Sequence, residues 1–265
     1  MRLLASIAAV AALSGAAGAQ EFGAFSMEDL RQGALAMPTV AAAAVPLAPD
    51  VGRYAVRGID VSAYQDTIDW KKVAGAGVAF AFIKATESVS YDDDAFARNW
   101  AGAKAAGVPR GAYHFYDFCQ KGAAQAAHFI AAVPKDADAL PEVVDLEKSR
   151  DCRTMPSKAA FTKQFAVFVA ALKKHYGRAP IVYTNGKIYA DYLADAGADY
   201  QLWIADPNDA SPDVPAGRSW TFWQHSWNGR VAGIDDLVDL DVFNGTPQQL
   251  ASLSAALPGV MVAER

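Results

Sequence analysis

From Tyr54 onward the sequence alternates short apolar or β-branched runs with amphipathic stretches, and this rhythm limits the fold more than any other feature of the chain. It is the pattern of parallel strands joined by crossover helices. The runs are "AVRGIDVSAY", "VAFAFIKATE", "RGAYHFYDF", "LPEVVDLEK", "APIVYTNG", "YQLWIADP", "TFWQHSW" and "LVDLDVFNG", eight in all. Three good helices separate the early ones: "DDAFARNWAGAKAAG", "KGAAQAAHFIAAV" and "SKAAFTKQFAVFVAALKKHYG", the last with Ser157 as its N-cap and Gly177 as its stop. Later connections are shorter and poorer in helix signal. The expected fold class is α/β, an irregular (β/α) barrel of the TIM type with a helix-poor second half. An open doubly wound sheet is the competing architecture. Polar residues recur at the C-terminal ends of many runs: Asp60, Glu87, Asp117, Asp145 with Glu147, Asn185, Asp206, Gln224 and Asp239. That favours the barrel, which draws function from all its strand ends, whereas an open sheet gathers it at one switch point.

Upstream of this rhythm, "MRLLASIAAVAALSGAAGAQ" joins a positive Arg2, an apolar run and the small-residue site Ala17-Gly18-Ala19, which reads as a signal peptide cleaved after Ala19. The run is short, Ala-rich and broken by Ser and Gly, so a membrane span is the weaker reading. Residues 20–53 are rich in Ala and Pro without periodicity and suit a flexible leader, leaving 54–265 as the folded domain. A net charge of -5 with scattered acids lacks the basic footprint that nucleic acid requires. The mature chain is expected to be an exported monomer, secreted or periplasmic, without stable membrane insertion.

The run "LPEVVDLEKS" raises the chemical question, because an apolar strand seats Asp145 and Glu147 two positions apart. In an extended strand these two share one face while Val144 and Leu146 take the other. Set in a barrel mouth, the carboxyls would repel one another and lose water, which raises a pKa and leaves an acid able to donate a proton near neutrality. The alternative is a solvated pair past the strand end, balanced by Lys148 and Arg150. "PEVV" is too apolar for an exposed edge, and "GIDVSAYQ" ends another strand with an acid in the same way.

Taken together, "RGIDVSAYQDTIDW", "FAFIKATES", "GAYHFYDF", "LPEVVDLE", "IVYTN", "LWIA", "WQHS" and "VDLDVFNG", in this order, resemble the glycoside hydrolase family 25 lysozymes over about residues 56 to 246. The resemblance implies a barrel of five β/α units followed by strands lacking regular helices. It implies hydrolysis of the β-1,4 bond between N-acetylmuramic acid and N-acetylglucosamine in peptidoglycan, with Glu147 as general acid/base and Asp145 as its electrostatic partner. Asp60 and Asp239 match the other two acids of the family's cleft. Asp241 is a rival to Asp239, since their spacing puts both on one face, and the family pattern selects Asp239. The D-x-E is reminiscent of the family 18 chitinases, which implies a retaining mechanism in which the substrate's own 2-acetamido oxygen attacks the anomeric carbon, one of the exceptions to the two-carboxylate scheme.

A glycan cleft also needs aromatic platforms. Tyr64, Tyr113, Phe115, Tyr183, Trp203, Trp223 and Trp227 fall at or beyond strand ends, each with a place in the core as its alternative. Tyr113, Tyr183 and Trp203 match family cleft positions, and Gln224 is a candidate hydrogen-bond partner for an acetamido group. His114 lies between Tyr113 and Phe115 and should point outward as a structural histidine. No His or Cys spacing makes a zinc set, so neither metal nor cofactor is expected. Cys119 and Cys152 leave successive strands by similar distances, which brings them within disulfide range. A silent glycan-binding barrel, or a metal-dependent hydrolase using the four acids as oxygen ligands, are the other readings.

Overall fold

The computed structural model describes residues 50–149, 152–194, 200–207, 209–214 and 217–254. The expected signal peptide, and the leader except for 50–53, lie outside them. Nine strands appear: β1 (Val56–Val61), β2 (Phe80–Glu87), β3 (Tyr91–Asp92), β4 (Arg110–Phe115), β5 (Val143–Leu146), β6 (Ile181–Asn185), β7 (Leu202–Ala205), β8 (Phe222–Gly229) and β9 (Val238–Phe243). Their order is β1-β9-β8-β7-β6-β5-β4-β2, and a β1–β2 pairing closes the ring into an eight-stranded barrel. Each of the eight runs read from the sequence supplies one barrel strand. The two-residue β3 pairs antiparallel with β2 and is too short to leave a periodic signal.

Of the eight barrel strands, β1, β2 and β4 through β8 are parallel, but β9 runs antiparallel to both its neighbours. This reversal is one way in which the barrel is irregular. A parallel crossover needs a dozen or more residues, and only 230–237 separate β8 from β9, enough for a hairpin connection alone.

Helices α1 (Trp70–Gly75), α2 (Phe96–Ala105), α3 (Gly122–Ala132) and α4 (Lys158–Tyr176) cover the first half of the barrel. Among the described residues the second half has only α5 (Gly186–Ile188), which runs on into a π-turn, and α6 (Pro247–Ser254). The α4 sequence starts and stops as its ends dictate. Ser157 accepts the Ala160 N–H as N-cap, and Gly177 closes the helix in the left-handed conformation at φ 83°. Its apolar stripe Phe161, Phe165, Phe168, Leu172 and Tyr176 is buried. Gly122 of α3 fits against α4 so closely that a Cβ would lie 2.0 Å from the Gln164 carbonyl oxygen.

Strand alternation divides the apolar residues into two cores. Val144, Leu146, Ile59, Val61 and Ile204 face the helices. Inside the barrel, Phe80, Phe82, Phe222, Phe243 and Trp203 build an aromatic floor. Phe80 fits because Gly58 opposite it has no side chain, since a Cβ there would lie 2.4 Å from the ring. This filled interior pushes the polar end of each strand up to the mouth.

Cys119 and Cys152 form the expected disulfide, with Cα atoms 5.4 Å apart across a sequence separation of 33. It ties the segment after β4 to the segment after β5. Reduction should therefore lower the free energy of unfolding by about 4 kcal/mol in the chain-entropy model, with a matching loss in the Cys119→Ser, Cys152→Ser double variant. Urea unfolding with and without reductant measures it, and equal midpoints would contradict this role.

Candidate active site

Val143, Asp145 and Glu147 lie on the inner face of β5 and its extension, while Val144 and Leu146 face the helices. Phe115 of β4 and Tyr183 of β6 flank Asp145 in register. On the opposite wall Asp60 of β1 pairs in register with Asp239 of β9. Asp239 stands near the start of its strand, and only the reversal of β9 brings that end to the mouth, where the parallel strands finish. The four acids and Tyr64, Tyr113, Phe115, Tyr183, Trp203 and Gln224 all line one cleft of about 210 Å³. The open choice between Asp239 and Asp241 resolves by depth. Asp239 borders the cleft, whereas Asp241 is fully buried on the layer below.

Gln224 organises this wall. Its Nε2 donates to Asp60 Oδ2 at 2.7 Å and lies 3.4 Å from Asp239 Oδ2, and its Oε1 accepts from the Tyr183 hydroxyl at 2.8 Å and from Trp227 Nε1 at 2.8 Å. The amide, expected as an acetamido partner, is thus also engaged by the protein on both sides. A substrate group would have to displace one of these bonds.

Burial raises the pKa of every acid in the cleft. Asp145 is pushed well above the usual carboxylate range by loss of water and then by the Glu147 charge, with Lys84 opposing. Glu147 is raised for the same first reason, again opposed by Lys84. Glu147 is the more open of the two, so it is the one that a ligand in the cleft meets first. Burial also lifts Asp239 to about 6 and Asp60 well above its ordinary value, the latter reinforced by Asp239.

Lys84 went unremarked in the sequence. It continues the inward alternation Phe80, Phe82, Lys84, and that spacing was the signal that could have found it. Its Nζ bonds Glu87 Oε2 at 2.6 Å and sits 5.0 Å from the centre of the Phe115 ring. Among the described residues it is the one cation lining the cleft. Gln65, which ends the run "GIDVSAYQ", closes a capping box with Ser62 and reaches the Leu237 carbonyl at 3.0 Å, fixing the turn that carries Tyr64. Tyr64 is 85% exposed and Trp227 57%, so both offer open ring faces. Trp223 does not join them, because it packs into the outer core against Tyr54 and Trp220.

His114 is structural, as expected. It bonds Thr86 at 2.7 Å and Gln125 at 3.2 Å, stacks on Phe168, and burial lowers its pKa to about 3. Among the described residues, the only three ligand atoms within 4.8 Å of one another belong to Asp117, Cys119 and Cys152, and those two sulfurs are already bonded together. The four cleft acids do not converge in that way.

Comparison with known proteins agrees with this geometry. Residues 59–234 match the sequence pattern of the glycosyl hydrolases family 25. Lysozyme M1 of Streptomyces globisporus is 36% identical over 215 residues, covering 75% of this chain and 71% of that one. The solved structure of a family 25 glycosyl hydrolase from Bacillus anthracis superposes with a TM-score of 0.72 at 37% identity, over 76% of this chain and 94% of that one. A bacterial lysozyme from Streptomyces coelicolor gives a TM-score of 0.72 at 35% identity, over 77% and 98% respectively. The sequence pattern, the closed barrel with its reversed last strand and the acid-lined mouth all lead to one conclusion: the chain belongs to glycosyl hydrolase family 25.

Proposed function

We propose that this chain is an exported lysozyme that cleaves the β-1,4 bond between N-acetylmuramic acid and N-acetylglucosamine in peptidoglycan, with residues 54–265 as its catalytic barrel. The observation that carries the reading is the Asp145–Glu147 pair, set side by side on the inner face of β5 in a partly dehydrated cleft. Glu147, the more open of the two, donates its proton to the glycosidic oxygen as the bond to the anomeric carbon breaks. The acetamido oxygen of the muramic acid attacks that carbon from the other face and forms an oxazolinium. Asp145 accepts the acetamido N–H and stabilises the positive charge that develops. Glu147, now a carboxylate, takes a proton from water as the water opens the ring at the anomeric carbon, and configuration is retained. Asp60 and Asp239 contribute negative potential from the facing wall, oriented by Gln224. Tyr64, Tyr113, Phe115, Tyr183 and Trp203 supply sugar-facing surface.

Glu147→Gln should lower turnover by about 10²- to 10⁴-fold while glycan binding survives, since the amide keeps the shape but has no proton to give. Asp145→Asn should lose about 10²- to 10³-fold, expressed in kcat. Mass spectrometry of the fragments should find muramic acid at the new reducing end. Peptidoglycan de-N-acetylated at muramic acid should bind and scarcely turn over. A glycosyl adduct trapped on Asp145, or inversion at the anomeric carbon, would reject substrate assistance.

The raised acids also tie stability to pH. Each binds its proton more tightly folded than unfolded, so between the unfolded carboxylate range and the raised folded values the native state holds more protons. Their contribution is complete below the unfolded range and is lost as pH climbs through the folded values. The thermal midpoint should therefore fall from pH 5 to pH 7, and a scanning calorimetry series showing a rise across that interval would contradict the assignment.

Export is proposed on the residues before the barrel. The mature chain is expected to begin at Gln20, and intact mass of protein recovered outside the cytoplasm checks it. A retained Met1 in that fraction would argue against cleavage.

A further inference from the structure

The deepest carboxyl in the barrel plays no part in the steps above. Asp241 is 0% exposed and lies in register with Gly58 of β1 and Gln224 of β8. Trp203 Nε1 donates to its Oδ1 at 2.8 Å. Its Oδ2 is sealed from solvent and no donor among the described residues reaches it. Its neighbour on the same inner face is Asp60, diagonal to it across the β1–β9 ladder, in which Gly58 pairs with Asp241 and Asp60 with Asp239; the Asp60 carboxyl already takes the Gln224 N–H.

Two buried carboxylates side by side on adjacent strands cannot both be ionised without cost, and an unpaired buried oxygen adds a second cost. One proton removes both. The shallower member has reason to stay the anion, since Asp60 borders the cleft and receives the Gln224 amide, whereas Asp241 is shut off from solvent with one indole donor. The ionisable groups acting on Asp241 are Asp60 from β1 and Asp239 from its own strand, both acidic. Trp203 from β7 and Gln224 from β8 are neutral, so no cation offsets a charge there.

We propose that Asp241 is a positioning residue, a carboxylic acid held neutral whose Oδ2–H donates to Asp60 and fixes that carboxylate toward the cleft. It forms the lower half of one support for Asp60, and Gln224 forms the upper half. Two acids two residues apart on β9 thus divide the work: Asp239 faces substrate, and Asp241 holds the group beside it. The catalytic part of this assignment rests on the muramidase reading above; the protonation does not.

Asp241→Asn preserves both bonds, because the amide N–H₂ replaces the O–H and the amide oxygen replaces Oδ1. Its kcat and its pH profile should match the parent. Asp241→Leu removes the donor and should lower kcat by about ten- to a hundredfold with KM little changed, the scale of a lost hydrogen bond to a charged group. The Asn variant decides the question even if the Leu variant fails to fold. An Asn variant as impaired as the Leu variant, or one whose acid limb moves to lower pH because a charge was removed, would overturn the proposal. Infrared difference spectra of the parent minus Asp241→Asn at pH 7 should contain the C=O band of a protonated carboxylic acid. An absent band would overturn the proposal whatever the activity, and a parent that binds but does not cleave peptidoglycan would sink the muramidase reading while the band still reports on Asp241.

Discussion

The pairing of β9 antiparallel between β8 and β1 is the constraint on which the rest of this molecule depends. It closes the ring, so no strand edge remains open between the first and last strands of the barrel. It also turns the chain end for end, so residues at the start of β9 stand beside residues near the end of β1. Asp239 opposite Asp60 is a direct product of that reversal. With a parallel last strand the same sequence would carry Asp239 to the floor of the barrel and the cleft would lose one wall. Catalytic geometry and barrel closure are therefore secured by the same ladder of hydrogen bonds.

The interior is graded along its axis, and the gradient explains the electrostatics. Phe80, Phe222 and Phe243 fill the bottom, Phe82 and Trp203 the middle, and carboxyls with tyrosines the top. Acids placed directly on an aromatic plug lose water on their lower side, which raises every one of them. Among the described residues Lys84 is the single opposing charge in the lining, and its bond to Glu87 keeps it at the edge, where it moderates Asp145 and Glu147 without neutralising either. Crowding acids around one distant cation costs stability at neutral pH, and that cost is what keeps a proton available for transfer.

Much of this arrangement was legible because strands write their faces into the sequence with a period of two. The alternation assigned Asp145 and Glu147 to one side and Val144 and Leu146 to the other, and it placed His114 outward, all as found. Strand direction was not legible in the same way. Parallel and antiparallel neighbours share the same alternation, and only the shortness of 230–237 distinguished them. Depth within the barrel was hidden too, since Asp239 and Asp241 look equivalent until the register assigns one to the mouth and the other to the layer beneath. The bonding of Gln224 was hidden for a related reason: an inward polar residue at a strand end reads as a ligand group, whereas its four partners on three other strands and on β8 itself emerge only when the ring closes.

The disulfide belongs to this same economy of position. Glu147 lies just past the last hydrogen-bonded residue of β5, so its backbone lacks the sheet support that Asp145 has. Five residues on, Cys152 is bonded to Cys119, and the segment between β4 and Cys119 is itself held by Asp117, which accepts the Cys119 N–H at 2.8 Å and the Ser88 hydroxyl at 3.1 Å. The Tyr116 N–H meets the Asp145 carbonyl at 2.9 Å, extending the β4–β5 ladder one step beyond the strand. The cross-link therefore anchors the far end of the loop whose near end carries the proposed proton donor. A group that must meet a glycosidic oxygen within a few tenths of an ångström gains from both anchors, because each limits how far its main chain can drift between turnovers.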